Sequence, residues 1–241
     1  MIIGISGYSG VGKDTVGAII QYIFAHHKEP LVLPVEEMVT NMDEHGWFLE
    51  EQSGWEIMKF AGKLKDIASH LTGIDIEKFE DQEFKKTLLG PEWGTVEHNP
   101  LNNIPVFEDV QFNSLMSVRD FLQKLGTDAL RNGLHDNVWV NALMADYKGT
   151  DLGEWKGEKV YSENLPNWII TDTRFPNEAK AIKDKGGFII RIDRPGVKPI
   201  NNHPSEVGLD DWKFDYRIAN VSDIVSLTET VRNILKHNKL L

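Results

Sequence analysis

The order of apolar and amphipathic segments along these 241 residues predicts an α/β protein of three layers, with helices on both sides of a mainly parallel sheet of about five strands. Three observations lead there. Short apolar runs at 2–6, 168–171 and 188–192 are bounded by turn residues, as strands buried on both faces are. Stretches with helical apolar spacing follow these runs and turns. The first run also feeds directly into a glycine-rich turn, Gly7-Tyr8-Ser9-Gly10-Val11-Gly12-Lys13-Asp14-Thr15.

The spacing of Gly7, Gly12 and Lys13 fits a P-loop, which makes the expected architecture a P-loop NTPase fold. Glycines let the backbone curl so that successive amides point at phosphate oxygens, and the lysine reaches the β- and γ-phosphates. The helix that follows adds its positive N-terminal end. Gly10, Val11, Gly12, Lys13, Asp14 and Thr15 are therefore the candidate phosphate-binding residues. Asp14 stands where a Ser or Thr hydroxyl usually meets magnesium, so it is a candidate metal ligand, directly or through water. A glycine-rich loop that binds nothing would need neither the strand before it nor the helix after it. A dinucleotide-binding turn would need GxGxxG spacing and leaves the lysine unexplained.

With 26 Lys and Arg against 37 Asp and Glu, the chain carries a net charge of −11, which argues against a broad nucleic-acid surface but allows a local basic pocket. The absence of cysteine excludes disulfides and thiolate metal sites and suits a reducing compartment. No apolar run approaches ~18 residues and no signal-like start is present, so neither secretion nor membrane spanning is expected. The length fits one domain over 1–241 with a single excursion.

In order, residues 13 to about 25 form a helix with Val16, Ile19, Ile20, Ile23 and Phe24 on its apolar stripe, ending at the solvated His26 and His27. Leu31-Val32-Leu33 has the shape of a short strand, and 36–51 is acidic without a clear period. A second strand is expected over 55–61. It runs into a helix whose face is Leu64, Ile67, Ala68 and Leu71; Lys63 and Lys65 at this junction are either surface charges or contacts to an anionic substrate. The polar, proline-dotted stretch 73–117 reads as an inserted substrate-covering segment or as an exposed connector.

A helix over 118–130 carries Val118, Phe121, Leu122 and Leu125 on one face, together with Arg119 and the block Gly126-Thr127-Asp128-Ala129-Leu130-Arg131. Asp136 caps the next helix, where Trp139 reads first as core and second as a base-stacking residue. Residues 148–166 read as a loop. Strand 168–171 then ends in Asp172, in the position of a Walker B aspartate that holds magnesium. A helix over 177–185, a strand over 188–192, a strand over 214–220 and a helix over 222–236 complete the pattern. Arg191 and Arg194 are either strand-end charges or arginine forks for phosphate, and His203-Pro204-Ser205-Glu206 falls in a loop.

The blocks Gly12-Lys13-Asp14-Thr15, Phe60-Ala61 with Leu64-Lys65, Val118-Arg119 with Leu122-Gln123-Lys124-Leu125-Gly126-Thr127-Asp128, Trp139, Asp172-Thr173-Arg174 with Glu178, Arg194-Pro195-Gly196, His203 with Glu206, and Asn220 together resemble the phage-type deoxynucleoside monophosphate kinases, a branch of the adenylate-kinase-like P-loop kinases. They span nearly the whole chain. The resemblance implies transfer of the γ-phosphoryl of ATP, with Mg2+, to a deoxynucleoside 5′-monophosphate. It implies that Lys65, Arg119, Gly126, Thr127, Asp128 and Trp139 surround the acceptor, with Lys65 and Arg119 on its phosphate, and Arg131 joins these as a further acceptor-side cation. Arg174 takes the place of a lid arginine, and Asn220 lies near the adenine. Lys13, Arg174 and Asp172 are the expected catalytic residues, with Asp14 and Asp172 near the metal. The expected partner is a small-molecule nucleotide rather than nucleic acid or membrane. The expected location is the cytoplasm, that of the host if the chain is phage-encoded, and a homodimer is compatible with the sequence. Two other readings share these residues: a P-loop kinase for another small acceptor, phosphomevalonate-like, and a non-catalytic nucleotide-binding module, against which Lys65, Arg119 and Arg131 count.

Overall fold

Strand β1 (Ile2–Ser6), buried along its whole length, forms the centre of the main sheet in the computed structural model, which describes residues 1–96, 112–156 and 158–241. Its neighbours are β7 (Asn167–Ile170) on one side and β8 (Phe188–Asp193) on the other, with β2 (Trp55–Met58) and β9 (Tyr216–Ala219) at the edges, in the order β2-β7-β1-β8-β9. All four pairings are parallel, so Ile3 lies opposite both Ile169 and Phe188. A parallel sheet is covered on both faces, which is why its strands read as continuous apolar runs rather than as alternations.

On one face Ile3, Ile5, Ile169, Ile190, Ile192 and Ile218 pack against α1 (Lys13–Lys28), α2 (Val35–Thr40), α3 (Met42–Ser53) and α9 (Ile224–His237). On the other, α7 (Pro176–Asp184) comes so close that a Cβ on Gly4 would lie 2.7 Å from Ile182 Cδ1. The predicted three-layer arrangement and five-stranded parallel sheet are therefore what the chain adopts. Each fully buried isoleucine contributes roughly 1.5–3 kcal/mol.

The chain divides into two compact units, Met1–Phe60 with Trp139–Leu241, and Ala61–Val138. The second contains α4 (Gly62–Thr72), the antiparallel pair β3 (Thr95–Val96) and β4 (Phe112–Ser114), α5 (Val118–Gln123) and a π-helical segment, Lys124–Asn132. It has its own core of Ala68, Phe79, Leu89, Val118 and Phe121, with Trp93 edge-on to Phe121 at 4.8 Å. Of the excursion read at 73–117, residues 97–111 lie outside the described residues.

Several local expectations are corrected. Leu31-Val32-Leu33 is not a strand, and Val32 is 97% exposed. The acidic stretch 36–51 belongs to α2 and α3; the latter buries only Leu49 and Ser53, which leaves no period to read. The second strand stops at Met58. In α4 the expected face is half wrong, since Ile67 and Leu71 are exposed whereas Ala68 and Lys65 are buried. The helix expected over 118–130 changes to π pitch at Lys124. Residues 148–166 hold an antiparallel hairpin of β5 (Asp151–Trp155) and β6 (Glu158–Tyr161), between α6 (Val138–Met144) and β7, and a short α8 (Pro204–Val207) occupies the loop expected at 203–206. Among the described residues, no helix is long and apolar enough to cross a membrane.

Candidate active site

The glycine turn leaves β1 at its carboxyl end with φ of +150°, +81° and +97° at Gly7, Gly10 and Gly12, values that favour glycine. A Cβ at Gly7 would stand 2.5 Å from Ile192 O, while one at Gly10 would meet nothing within 4 Å, so the turn is packed at its base and open at its tip. Asn220, just past β9, donates from Nδ2 to Val11 O at 2.8 Å and so ties the turn to the far edge of the sheet. Tyr8 is held from the same side. Its hydroxyl donates to Asp210 Oδ2 at 2.9 Å, and the Arg191 guanidinium lies 4.6 Å from its ring centre. Arg191 is buried and donates to Asp193 and Asp210, each at 3.2 Å, so its charge is matched by carboxylates and serves the turn.

Lys13 opens the 16-residue α1 and folds back over the turn, donating from Nζ to Gly7 O at 2.9 Å and Tyr8 O at 2.8 Å. Its neighbour Asp14 accepts from the Thr171 hydroxyl at 2.7 Å and faces Lys59 Nζ at 3.5 Å. The approach of α1 to β7 that makes this possible depends on Gly17, where a Cβ would lie 2.9 Å from Thr171 Cγ2. Burial by itself pushes the Asp14 carboxyl up, but Lys59, the Thr171 hydroxyl and Lys13 outweigh it and hold the group below its ordinary range. Asp172 accepts from the Phe60 amide at 2.8 Å, joining the carboxyl ends of β2 and β7.

Burial lowers Lys13 to about 8, and Arg174 adds to that, whereas Asp14, Glu206 and Asp172 act the other way. Charged side chains from three separate stretches of sequence, at 14, 172–174 and 206, thus act on Lys13. A consequence for binding follows from the sign. Below about pH 8 the free amine is already charged; above it, a bound phosphate favours the protonated form, so binding takes up a proton. ADP affinity in metal-free buffer is expected to be level below that pH and to weaken by up to about tenfold per unit above it. Calorimetry in two buffers of different ionisation enthalpy should register the proton taken up; a flat profile to pH 9.5 would contradict the burial of this amine.

Arg174 follows two residues after Asp172. Its backbone is set by the buried Glu178, which accepts from the amides of Arg174 at 2.8 Å and Phe175 at 3.0 Å. Its side chain donates from Nη1 to Glu206 Oε1 at 2.7 Å and to Ser205 O at 3.1 Å.

The acceptor-side residues named from sequence fall mainly in the second unit. Lys65 on α4 is buried and paired with Glu80. Arg119 on α5 donates to Gln82 Oε1 at 3.1 Å. Gly126, Thr127, Asp128 and Arg131 all lie on the π-helical segment, a departure from α pitch that is often found at functional sites. Of these Gly126, Thr127 and Arg131 are buried and Asp128 is exposed. Gly126 lets the segment press on α4, since a Cβ there would lie 2.7 Å from Leu64 Cδ2. Arg131 donates to Asp136 O at 3.1 Å. Trp139 belongs to α6 in the first unit and is buried.

Sequence reasoning overlooked Lys59, Thr171, Tyr8 and Asp210. Lys59 carries a readable signal, being a cation just past the carboxyl end of a parallel strand, with Lys63 and Lys65 close behind it in the chain. As to a metal, the described residues contain no group of three His, Cys, Asp or Glu fit to hold one. Two nearby carboxylates are nevertheless what a magnesium ion needs when the nucleotide phosphates and water supply its other ligands. The amides of the turn, its open tip and Lys13 likewise fit a triphosphate.

A central parallel strand running into a glycine turn, closed by a lysine at the start of a helix, defines a P-loop nucleotide-binding protein. The sequence profile of deoxynucleotide monophosphate kinase matches residues 49–231. The chain belongs to that family, and the match lies wholly outside the glycine turn, so the two observations are independent. It is 24% identical to the deoxynucleotide monophosphate kinase of Enterobacteria phage T4 across 98% of both chains, and 24% identical to the deoxynucleoside-5′-monophosphate kinase of Escherichia phage T5 across 92% of this chain and 90% of that one. A protein of Acanthamoeba polyphaga mimivirus is 36% identical over 110 residues, 42% of this chain and 52% of its own length. The chain is a deoxynucleoside monophosphate kinase, with ATP use and a deoxynucleoside monophosphate substrate implied by the family.

Proposed function

We propose that the γ-phosphoryl of ATP is held between Lys13 and Arg174 while the phosphate of a deoxynucleoside 5′-monophosphate attacks it in line, giving the diphosphate and ADP. The amides of Gly10, Val11, Gly12, Lys13, Asp14 and Thr15 cradle the donor phosphates, and Asn220 lies beside the adenine. Lys65, Arg119 and Arg131 neutralise the acceptor phosphate, and Gly126, Thr127, Asp128 and Trp139 shape the site around its sugar and base. The attacking phosphate is already ionised, so no general base is required; positioning and charge stabilisation carry the rate. Asp14 and Asp172 would hold Mg2+, which, when bound, neutralises charge on the β- and γ-oxygens. On this reading residues 1–241 act as one catalytic domain, with 73–117 as its substrate-covering segment. A homodimer and a cytoplasmic location, in the host if the chain is phage-encoded, belong to the same proposal.

The observation that carries this reading is the convergence on Lys13 and the adjacent Asp14 of Asp172, Arg174 and Glu206, which lie more than 150 residues further along the chain. The test is ADP release, coupled to a spectroscopic readout, with ATP, Mg2+ and a panel of dGMP, dTMP, dCMP, dAMP and a hydroxymethylated dCMP. Release that depends on at least one of these acceptors is expected. Tight ATP binding with no acceptor-dependent release from any of them would reject it.

A further inference from the structure

Arg174 is held by one end. Both of its side-chain bonds leave from Nη1, to Glu206 Oε1 and to Ser205 O, and among the described residues nothing accepts from Nε or Nη2. A guanidinium presents five N–H groups in a rigid plane, so fixing one nitrogen sets the direction in which the other edge faces. The arginine side chain is 34% exposed, whereas that of Glu206 is only 3% exposed, so the tether is buried and the unused edge is not.

Glu206 is a costly residue for this place. Its Oε1 takes the arginine, but its Oε2 is buried with no hydrogen-bond partner among the described residues. An apolar pair of the same shape would hold α8 in position without leaving a carboxylate oxygen unmatched, so packing does not account for the charge. The segment around it is also fixed with some care. The His203 ring accepts from the Ser205 amide at 3.2 Å, and a Cβ on Gly208 would lie 2.9 Å from Arg174 O, which brings the end of α8 against the arginine's own backbone. With Glu178 holding the amide of Arg174 at 2.8 Å, both the root and one tip of the side chain are set.

We propose that Glu206 is a positioning residue for phosphoryl transfer: by holding Nη1 of Arg174, it presents the Nε and Nη2 edge to the phosphoryl group before nucleotide arrives. This rests on Arg174 being the transfer arginine. Steady-state kinetics with ATP and the preferred acceptor test it. Glu206→Ala is expected to lose about 10²-fold in kcat while both KM values stay within about threefold, as for a misplaced catalytic group rather than a lost binding contact. Glu206→Gln keeps an accepting oxygen at the same reach and is expected to remain within about tenfold of the parent. Glu206→Asp draws the oxygen back by one methylene and should be slower than Glu206→Gln. Glu206→Ala combined with Arg174→Ala should be no slower than Arg174→Ala alone.

A Glu206→Ala enzyme with parental kcat, a loss expressed only in KM, or losses that multiply in the double variant would overturn the proposal. If Glu206→Ala proves too unstable to assay, the order of Glu206→Asp and Glu206→Gln decides, and equal rates overturn it. An Arg174→Ala enzyme that keeps its kcat would instead refute the assignment of Arg174 itself, so the two failures are distinct.

Discussion

Lys13→Ala is expected to lower kcat by about 10³ or more while the protein still folds. The rate falls because the stabilising charge must already be in place when the γ-phosphoryl becomes metaphosphate-like. The fold survives because, among the described residues, Lys13 Nζ bonds only to the carbonyls of Gly7 and Tyr8, and burial already disfavours its charged form. The apolar side chains that fasten α1 to the sheet, among them Val16, Ile20 and Ile23, are untouched. Turnover and thermal melting measured on the same preparation check both halves, and unimpaired kcat would remove Lys13 from the mechanism.

Arg174→Ala should cost a comparable factor, about 10³ or more in kcat, with smaller changes in KM, as for an arginine that contacts the transferring group. Arg174→Lys is not expected to rescue it, since a single ammonium cannot bond Glu206 and phosphate along two edges of one plane. Unlike the lysine variant, Arg174→Ala should also lower stability, by about 1–3 kcal/mol, because it leaves the buried Glu206 without its cation; the partial exposure of the arginine keeps the effect below that of a fully buried pair. Adding Glu206→Gln to Arg174→Ala should restore the melting temperature and leave the rate where it was. Rate and stability thereby report separately on the two ends of one side chain.

The parts that could be read from sequence were those whose cause is local. Gly7, Gly12 and Lys13 are close in the chain, and the turn they make requires little beyond them. The parallel strands were legible for a similar reason, since burial on both faces forces runs such as Phe188-Ile189-Ile190. The hairpin at β5 and β6 escaped because it is exposed nearly throughout, so no alternation of apolar and polar residues marks it. The tether of Arg174 to Glu206 spans 32 residues and depends on where α8 lands, which no spacing rule conveys. The acidic helices α2 and α3 hid behind their own solvation, with few buried positions to establish a period.

The change of pitch at Lys124 was invisible for a different reason: Val118, Phe121, Leu122 and Leu125 satisfy an α pattern up to the point where the ladder shifts. In an α-helix, residues five apart diverge by about 140°, but with bonds from i to i+5 they come round to the same side. Gly126 and Arg131 are such a pair, and both are buried. The geometry of that stretch is therefore counted in residues as much as in side chains. Excising a single amino acid between Gly126 and Arg131 would leave them four apart, which ordinary α pitch sets only about 40° from each other, so the stretch could tighten into a plain α-helix with the guanidinium still on the glycine's side.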